Sequence, residues 1–346
     1  MNFKPQAALL PLALAGLLLA GCHNDNENNP ANTQGVPTTN VPDSAKSGGG
    51  GGGQAMLAFV TNNPSDYWTI CHKGVDKAAS DLHIPTPQFI MPDDGTAATQ
   101  KRDVDDLIAK GVQGIAISPV DPTNETNDIN TWAAKVPLIT SDSDAANSNR
   151  LCYIGTDNHA AGLMAGGLIK EAIPNGGKIM LFVGKSDAQN AKDRIQGIRD
   201  ALKSDSKYQI IDVRTDDTDH ARAKANASDA LVKYPDLACL VGIWSYNGPQ
   251  IYNAVKEAGK AGKVQIVSFD QEQGTMDGIK AGAIYATVVQ DPYTFGYKSV
   301  TLLNQLAKGD KKGIPTNKMM IVPTQAIKKG NLDTYLADYN KKLGGG

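Results

Sequence analysis

The stretch from Val104 to Pro119, VDDLIAKGVQGIAISP, contains the unit that decides the fold. Its first half places apolar residues at the spacing of one helix face, and Gly111 follows them. A glycine there can adopt the left-handed conformation that ends a helix. The apolar run Gly114 to Ile117 then has the length and composition of a strand that is covered on both faces. The unit therefore predicts a helix that returns the chain to a buried parallel strand.

The same unit recurs in the second half, where a helical stretch ends at Gly259 before an apolar strand. This alternation predicts an α/β protein with two Rossmann-like lobes, each with a parallel sheet flanked by helices. The predicted strands are Met56 to Val60, Gly114 to Ile117, Val136 to Thr140, Lys178 to Val183, Leu237 to Ile243, Val264 to Phe269 and Ile284 to Val289.

The amino terminus has the features of a lipoprotein signal peptide over residues 1–21. Lys4 precedes an apolar run from Ala7 to Ala20, which is short for a transmembrane helix, and Cys22 follows two small residues. The Cys22 thiol is therefore the expected site of lipidation. A plain secretory peptide with a chance cysteine is the alternative.

Residues 22–54 are rich in Asn, Pro and Ser and end in the glycine run Gly48 to Gly53. With so few large apolar residues, this segment is expected to be a disordered tether. It does not match a phosphate-binding loop, because Gln54 and Ala55 stand where that loop needs Lys and Ser or Thr.

The remainder, Ala55 to Gly346, is long enough to predict two domains. The formal charge of −2 is spread over interspersed acidic and basic residues, so no nucleic-acid partner is expected. Cys71, Cys152 and Cys239 are odd in number and lack metal-site spacing. They are expected to be buried thiols, and no metal or cofactor is predicted.

Polar or aromatic residues follow nearly every predicted strand, and in open α/β sheets the loops after the strands form the ligand site. Carboxylates accept hydrogen bonds from hydroxyls, amides both donate and accept, and aromatic faces pack against the C–H patches of sugar rings. The pattern favours a polyhydroxylated ligand, although an Asp or Asn after a strand is also a common turn former or helix cap. The residues are Asn63, Tyr67, Trp68, Ser118, Asp142, Trp244, Asn247, Asp270 and Gln290.

In these segments the chain resembles the periplasmic sugar-binding proteins of the ribose-binding type, which share their fold with the ligand domains of LacI-type repressors. The resemblance extends from Ala55 to Tyr339. Its most specific segments are Asn62-Asn63-Pro64 with Tyr67-Trp68 and Gly74, Ile117-Ser118-Pro119, Ile139-Thr140-Ser141-Asp142, Ile154-Gly155-Thr156-Asp157-Asn158, Ile266 to Asp270, and Val289-Gln290 with Pro292.

The resemblance implies sugar contacts from Asn63, Tyr67, Trp68, Ser118, Asp142, Asp270 and Gln290. It also implies one from Arg194, which could donate two parallel bonds to adjacent oxygens; the alternative is a solvated helix residue. Trp244 and Asn247 are assigned from their position after a strand, and for Trp244 a place in the core is the alternative. The chain departs from the family pattern at Ser65 and Asp66, which look like an insertion, and at Ser143, where many members have arginine. The insertion leaves the exact role of Asn63 open, and the missing arginine changes which sugar is expected.

The resemblance further implies that the chain crosses between the lobes three times, near residues 156–157, 290–291 and 322–323. The N-terminal lobe would comprise residues 55–156 plus 291–322, and the C-terminal lobe residues 157–290 plus 323–346. Three backbone segments side by side would form a hinge, as in a type I periplasmic binding protein. Closing it would bury the ligand and strengthen each polar contact.

We therefore expect a mostly monomeric binding protein, lipid-anchored on the extracytoplasmic side of the cell envelope, that passes a monosaccharide or polyol to an ABC permease. A sensory protein that presents the ligand to a membrane receptor or kinase is an open alternative. A repressor of the same fold is not expected, because it would need a DNA-binding helix pair before the lobes, where this sequence has the expected signal peptide and tether. An enzyme is not expected, since the histidines are scattered, no Gly-x-Ser-x-Gly motif occurs, and Ile179 replaces the first glycine of a nucleotide-binding loop at Gly184-Lys185-Ser186.

Overall fold

The computed structural model describes residues 55–65 and 67–344. The predicted signal peptide, Cys22 and the tether lie outside the described residues. Within the described part, the strands assemble into two six-stranded sheets with helices packed against them. An α/β fold of this kind was predicted from the alternation of apolar strands and amphipathic helices, and the prediction is confirmed.

The first sheet is parallel throughout, and its strands lie in the spatial order β11, β5, β4, β3, β1, β2. The bounds are β1 Leu57–Val60, β2 Gln88–Ile90, β3 Gly114–Ile117, β4 Leu138–Ser141, β5 Tyr153–Gly155 and β11 Met319–Ile321. Helices α1 (Tyr67–Leu82), α2 (Ala97–Ala109), α3 (Thr126–Ala133) and α9 (Pro292–Ala307) pack against it.

The second sheet has the order β12, β10, β9, β8, β6, β7, and it is parallel except for β12, which runs antiparallel to β10. The strands are β6 Gly177–Val183, β7 Tyr208–Thr215, β8 Leu237–Gly242, β9 Gln265–Phe269, β10 Ala286–Val289 and β12 Gln325–Lys328. The helices of this half are α4 Asn158–Ala172, α5 Gln189–Leu202, α6 His220–Lys233, α7 Asn247–Glu257, α8 Gln273–Ala281 and α10 Leu332–Lys342.

The predicted helix-ending glycines are confirmed. Gly111 and Gly259 have φ of +81° and +64° and follow the ends of α2 and α7. The strand predicted to begin at Val136 begins instead at Leu138. Pro137 explains the difference, because proline has no backbone N–H to give to a neighbouring strand.

The chain moves between the two sheets three times, after β5, after β10 and after β11. At the last two crossings, the next element of the chain already belongs to the other half: α9 packs on the first sheet directly after β10, and β12 pairs within the second sheet directly after β11. This path has the form that the resemblance implies. The limits of the two lobes remain a prediction.

The cysteines in the described part of the chain, Cys71, Cys152 and Cys239, are buried free thiols, as predicted. In the same residue ranges, no helix is both long enough and apolar enough to cross a bilayer.

Helices α4 and α5 pack closely through glycines. A Cβ atom added at Gly162 would stand 2.2 Å from the carbonyl oxygen of Arg194, and one added at Gly197 would stand 2.2 Å from that of His159. Both neighbours are backbone atoms, which cannot rotate away. The two helix axes can therefore approach this closely only because both positions lack a side chain.

We predict that Gly162→Ala destabilises the protein by about 1–3 kcal/mol, because the added methyl group forces the two helices apart. Gly167→Ala in the same helix is the matched control, since nothing lies within 4 Å of the Cβ it would add. That control should be neutral or stabilise the fold by up to about 1 kcal/mol. Urea unfolding of both variants measures the difference, and equal stabilities would contradict the packing described.

Candidate ligand-binding site

Two buried aspartates occupy matching places in the two sheets. Asp142 directly follows β4 and Asp270 directly follows β9, with left-handed φ values of +63° and +64°. The backbone N–H of Asp142 donates to Ile154 O at 3.1 Å, and that of Asp270 donates to Val288 O at 2.8 Å. Aspartate tolerates this conformation better than most residues. In each sheet, therefore, one strand is directly followed by an aspartate whose backbone is held by a hydrogen bond to a neighbouring strand.

Both carboxylates line the same cavity, which has a volume of about 570 Å³. Side chains that follow strands of both sheets contribute to its wall. The lining residues are Asn62, Asn63, Pro64, Ser65, Tyr67, Trp68, Asp93, Asp94, Gly95, Thr96, Pro119, Val120, Asp142, Ser143, Lys185, Ala188, Asn190, Arg194, Asp217, Thr218, His220, Trp244, Ser245, Tyr246, Asp270 and Gln290.

The Asp142 carboxylate accepts two hydrogen bonds from neutral hydroxyl groups. Tyr67 Oη donates to Oδ1 at 2.9 Å, and Ser118 Oγ donates to Oδ2 at 3.3 Å. Burial raises the pKa of Asp142 to about 6, while Arg194 and the bond from Tyr67 act in the opposite direction. The side chain is therefore mostly ionised at neutral pH and titrates just below it.

Asp270 has different partners. Gln290 Nε2 donates to its Oδ1 at 3.0 Å, and Arg194 Nη1 lies 3.9 Å from its Oδ2. Burial raises the pKa of Asp270, and the charge of Arg194 opposes that rise. This carboxylate therefore has its counter-charge within its own half of the molecule.

Arg194 is 2% exposed, so it is not a solvated helix residue. Its Nε donates to Asn158 Oδ1 at 2.9 Å, its Nη1 donates to the carbonyl of Ile243 at 2.9 Å, and its Cζ lies 4.6 Å from the ring centre of Phe269. These contacts fix a buried cation at the cavity wall.

Aromatic rings stand on both sides of the cavity. The ring centres of Tyr67 and Trp68 lie 5.1 Å apart in an edge-to-face arrangement. Those of Trp244 and Tyr246 lie 6.5 Å apart, also edge to face. Trp68 is only 1% exposed and belongs to the core of the first half. It therefore supports Tyr67 more than it offers a face of its own.

Two predicted residues, Ser118 and Asn247, belong to the described chain but do not line the cavity. Ser118 acts through its bond to Asp142. Asn247 has other partners: its Oδ1 accepts from the backbone N–H of Trp244 at 3.0 Å, and its Nδ2 donates to Asp216 at 2.9 Å, and its ligand contact stays a prediction. Asn247 begins α7, so its amide holds the preceding turn while Trp244 reaches the cavity.

Several lining residues were not predicted. Asp93 and Asp94 follow β2, and Asp217 and Thr218 follow β7. Both strands lie at the edge of their sheet, are half-buried and lack the continuous apolar run of a central strand. Asn190 stands one helical turn before Arg194, and that spacing is a signal that the sequence offered. The other unpredicted polar and aromatic residues include Lys185, His220 and Tyr246.

Some buried polar atoms of the lining residues have no hydrogen-bond partner within the described protein. They are Asn63 Oδ1, Asn190 Oδ1, Gln290 Oε1, Trp68 Nε1 and Trp244 Nε1. Such groups are costly unless something satisfies them. The set contains both donors and acceptors, which suits a ligand with hydroxyl groups. Across residues 55–65 and 67–344, no group of three or more His, Cys, Asp or Glu side chains is placed to hold a metal ion.

Comparison with known families agrees with this geometry, since residues 57–311 match the model of the periplasmic binding protein domain. The chain belongs to this family. Its members are non-enzymatic solute-binding proteins, which confirms the prediction that the chain is not an enzyme, and the resemblance to sugar-binding proteins of the ribose-binding type is likewise confirmed.

Individual relatives are distant but span most of the chain. The D-allose-binding periplasmic protein of Escherichia coli K12 is 26% identical over 273 residues, which cover 76% of this chain and 87% of that protein. The ribose import binding protein of Salmonella typhimurium LT2 is 27% identical over 263 residues, covering 74% and 85%. A solute-binding protein of an ABC transporter from Burkholderia graminis, solved with D-arabinose, has a TM-score of 0.77 at 27% identity, covering 81% and 97%.

Proposed function

We propose that this periplasmic binding protein captures a neutral monosaccharide or related polyol in the cavity between its two sheets and delivers it to an ABC permease. One observation carries the proposal: Asp142 and Asp270, from different sheets, line one cavity together with Arg194. A ligand held there would be held from both halves. Delivery to a permease is inferred from the family's role in transport.

The chemistry of the wall suits a sugar ring. Ionised carboxylates accept from ligand hydroxyls, and the guanidinium of Arg194 donates to ligand oxygens. Tyr67 and Trp244 supply flat faces on opposite sides for the C–H patches of the ring. A ligand with hydroxyls around its edge and apolar faces would meet both requirements at once.

The charge of the wall favours a neutral ligand. Among the described lining residues, the five aspartates outnumber the two basic residues Lys185 and Arg194; the aspartates are Asp93, Asp94, Asp142, Asp217 and Asp270. Arg194 is already engaged by protein groups. A carboxylate on the ligand would therefore be buried next to like charges, which is unfavourable.

The ligands for which relatives are named support a monosaccharide. The two curated relatives are named for D-allose and ribose, and the Burkholderia protein was solved with D-arabinose. We propose the same class of ligand here without choosing among these sugars. Ser143, where many family members have arginine, is a reason to expect a different preference.

Capture would proceed by hinge closure. We propose that residues 55–156 plus 291–322 move against residues 157–290 plus 323–346 about the three connections that join the two sheets. Closure would bring the polar groups of both halves onto the ligand and exclude water, which strengthens each contact. Single copies are sufficient for this mechanism, because residues of one chain build both walls.

The function is tested by a thermal-shift screen of neutral pentoses, hexoses and cyclitols, their uronic acids, and amino acids. A ligand that binds only the folded protein raises its Tm. We expect at least one neutral sugar or cyclitol to raise it and the matching uronic acid to raise it far less. A response to amino acids alone would show that the sugar proposal is wrong.

Substitution of either buried aspartate should abolish tight binding. Asp142→Ala and Asp270→Ala should each weaken the affinity by about 2–5 kcal/mol, since a buried ligand hydroxyl loses its charged acceptor. Asp236→Ala is the control, because Asp236 is exposed, pairs with Lys178 and does not line the cavity. Calorimetric titration measures all three. Unchanged affinity in both aspartate variants would remove the proposed site.

We also propose that lipidation of Cys22 anchors the protein on the extracytoplasmic side of the envelope, with residues 22–54 as a tether. The sequence before Cys22 supports this proposal. Cys22→Ser should then leave the membrane fraction and appear in the soluble fraction, whereas the parent chain sediments with membranes. Equal distribution of the two proteins would contradict the anchor.

A further inference from the structure

The hydroxyl of Tyr67 has a specific partner in the cavity wall. It donates to Asp142 Oδ1 at 2.9 Å, across 75 positions of the sequence. Tyr67 is the first residue of α1, and its ring rests edge to face on the buried ring of Trp68. The hydroxyl is therefore held in place by a helix start and by the core, and it orients the carboxylate it contacts.

Tyr67 remains a donor over the whole physiological pH range. Burial, and then the neighbouring charge of Asp142, raise its pKa well above the ordinary value for tyrosine. A protonated phenol next to a carboxylate stabilises the ionised form of the acid. The bond from Ser118 acts in the same direction but is longer, at 3.3 Å.

Other groups around Asp142 act on its charge from several elements. Arg194 on α5 favours the ionised form, whereas Asp270 after β9 and burial itself disfavour it. Burial, and then the charge of Asp142, raise the pKa values of Cys71 and Tyr153, so the neutral forms of both side chains are favoured. The titratable groups that face Asp142 are Tyr67, Cys71, Tyr153, Arg194 and Asp270.

We propose that Tyr67 is a positioning residue that acts through its hydroxyl, orienting the Asp142 carboxylate and keeping it available as an acceptor for a ligand hydroxyl. The proposal rests on the proposed function. Each carboxylate oxygen can accept two hydrogen bonds, so the bonds from Tyr67 and Ser118 leave one position on each oxygen for the ligand. Only the ionised form offers both positions.

The test is the pH dependence of binding by Tyr67→Phe, which keeps the ring and removes the hydroxyl. The neutral sugar with the largest thermal shift is titrated by calorimetry between pH 5 and 8. In the parent protein, affinity should fall as pH drops through the Asp142 pKa of about 6. In the variant this midpoint should rise by about one pH unit, because a stabilising bond to the charged form is lost.

The affinity loss should therefore depend on pH. With the ionised fraction as the binding-competent one, Tyr67→Phe should bind about fivefold more weakly at pH 6 and almost as well as the parent at pH 8. An unchanged midpoint, whether affinity is unaltered or reduced equally at every pH, would overturn the proposal and leave Tyr67 a packing role.

Tyr153→Phe is the matched control. The single O–H of Tyr153 is directed at two backbone carbonyl oxygens, that of Asp142 at 3.0 Å and that of Thr156 at 2.8 Å, so its loss removes a hydroxyl near the same residue without touching the carboxylate. Its midpoint should stay at the parent value. Ser118→Ala is the second test variant and should shift the midpoint upward by less than Tyr67→Phe does.

A measurement without ligand separates this inference from the proposed function. The Asp142 carboxyl carbon, assigned by comparison with Asp142→Asn, is titrated by NMR in the free protein and in Tyr67→Phe. A higher midpoint in the variant supports the inference even if no sugar binds. Equal midpoints overturn it even if sugars bind the parent protein tightly.

Discussion

The rest of the structure depends on one constraint: the buried carboxylates of Asp142 and Asp270 and the buried guanidinium of Arg194 must be held in the wall of one cavity. Asp142, Asp270 and Arg194 are 5%, 4% and 2% exposed, and buried charges are tolerated only when partners compensate them. Each has such partners: hydroxyls for the first aspartate, an amide and a guanidinium for the second, and an amide and a backbone carbonyl for the arginine. The sheets, turns and helix contacts around them fix these partners.

The placement of Arg194 shows how packing determines the chemistry. Its backbone carbonyl is the atom that a side chain at Gly162 would strike, so the closeness of α4 and α5 sets the position of the arginine. The same closeness brings Asn158, the first residue of α4, to its Nε. Two helical glycines that do not themselves line the cavity thus position a cation in its wall.

The sequence was sufficient to predict the architecture and the two central aspartates. Buried parallel strands are continuous apolar runs, and residues directly after them must lie at the same edge of a sheet. The loops after β2 and β7 escaped prediction because edge strands are only half-buried and lack that signal. Sequence also cannot tell which residue of a turn lines the cavity and which one holds the loop, as Asn247 does through its bond from the backbone N–H of Trp244.

Asp142 and Asp270 have the same backbone geometry, but the groups that compensate their charges differ. Because of this difference, the charge of Asp142 depends on a residue of the other half. Asp270 has Arg194 within its own half, whereas the nearest donors to Asp142 are uncharged. The same arginine nevertheless favours the ionised form of Asp142 from the opposite side of the cavity. Drawing the halves together would bring both Arg194 and Asp270 nearer to Asp142 and would bury it further, so the attraction of the guanidinium opposes the burial and the like charge that disfavour the ionised form. The charge of the acceptor in the first half therefore depends on a cation that the second half supplies.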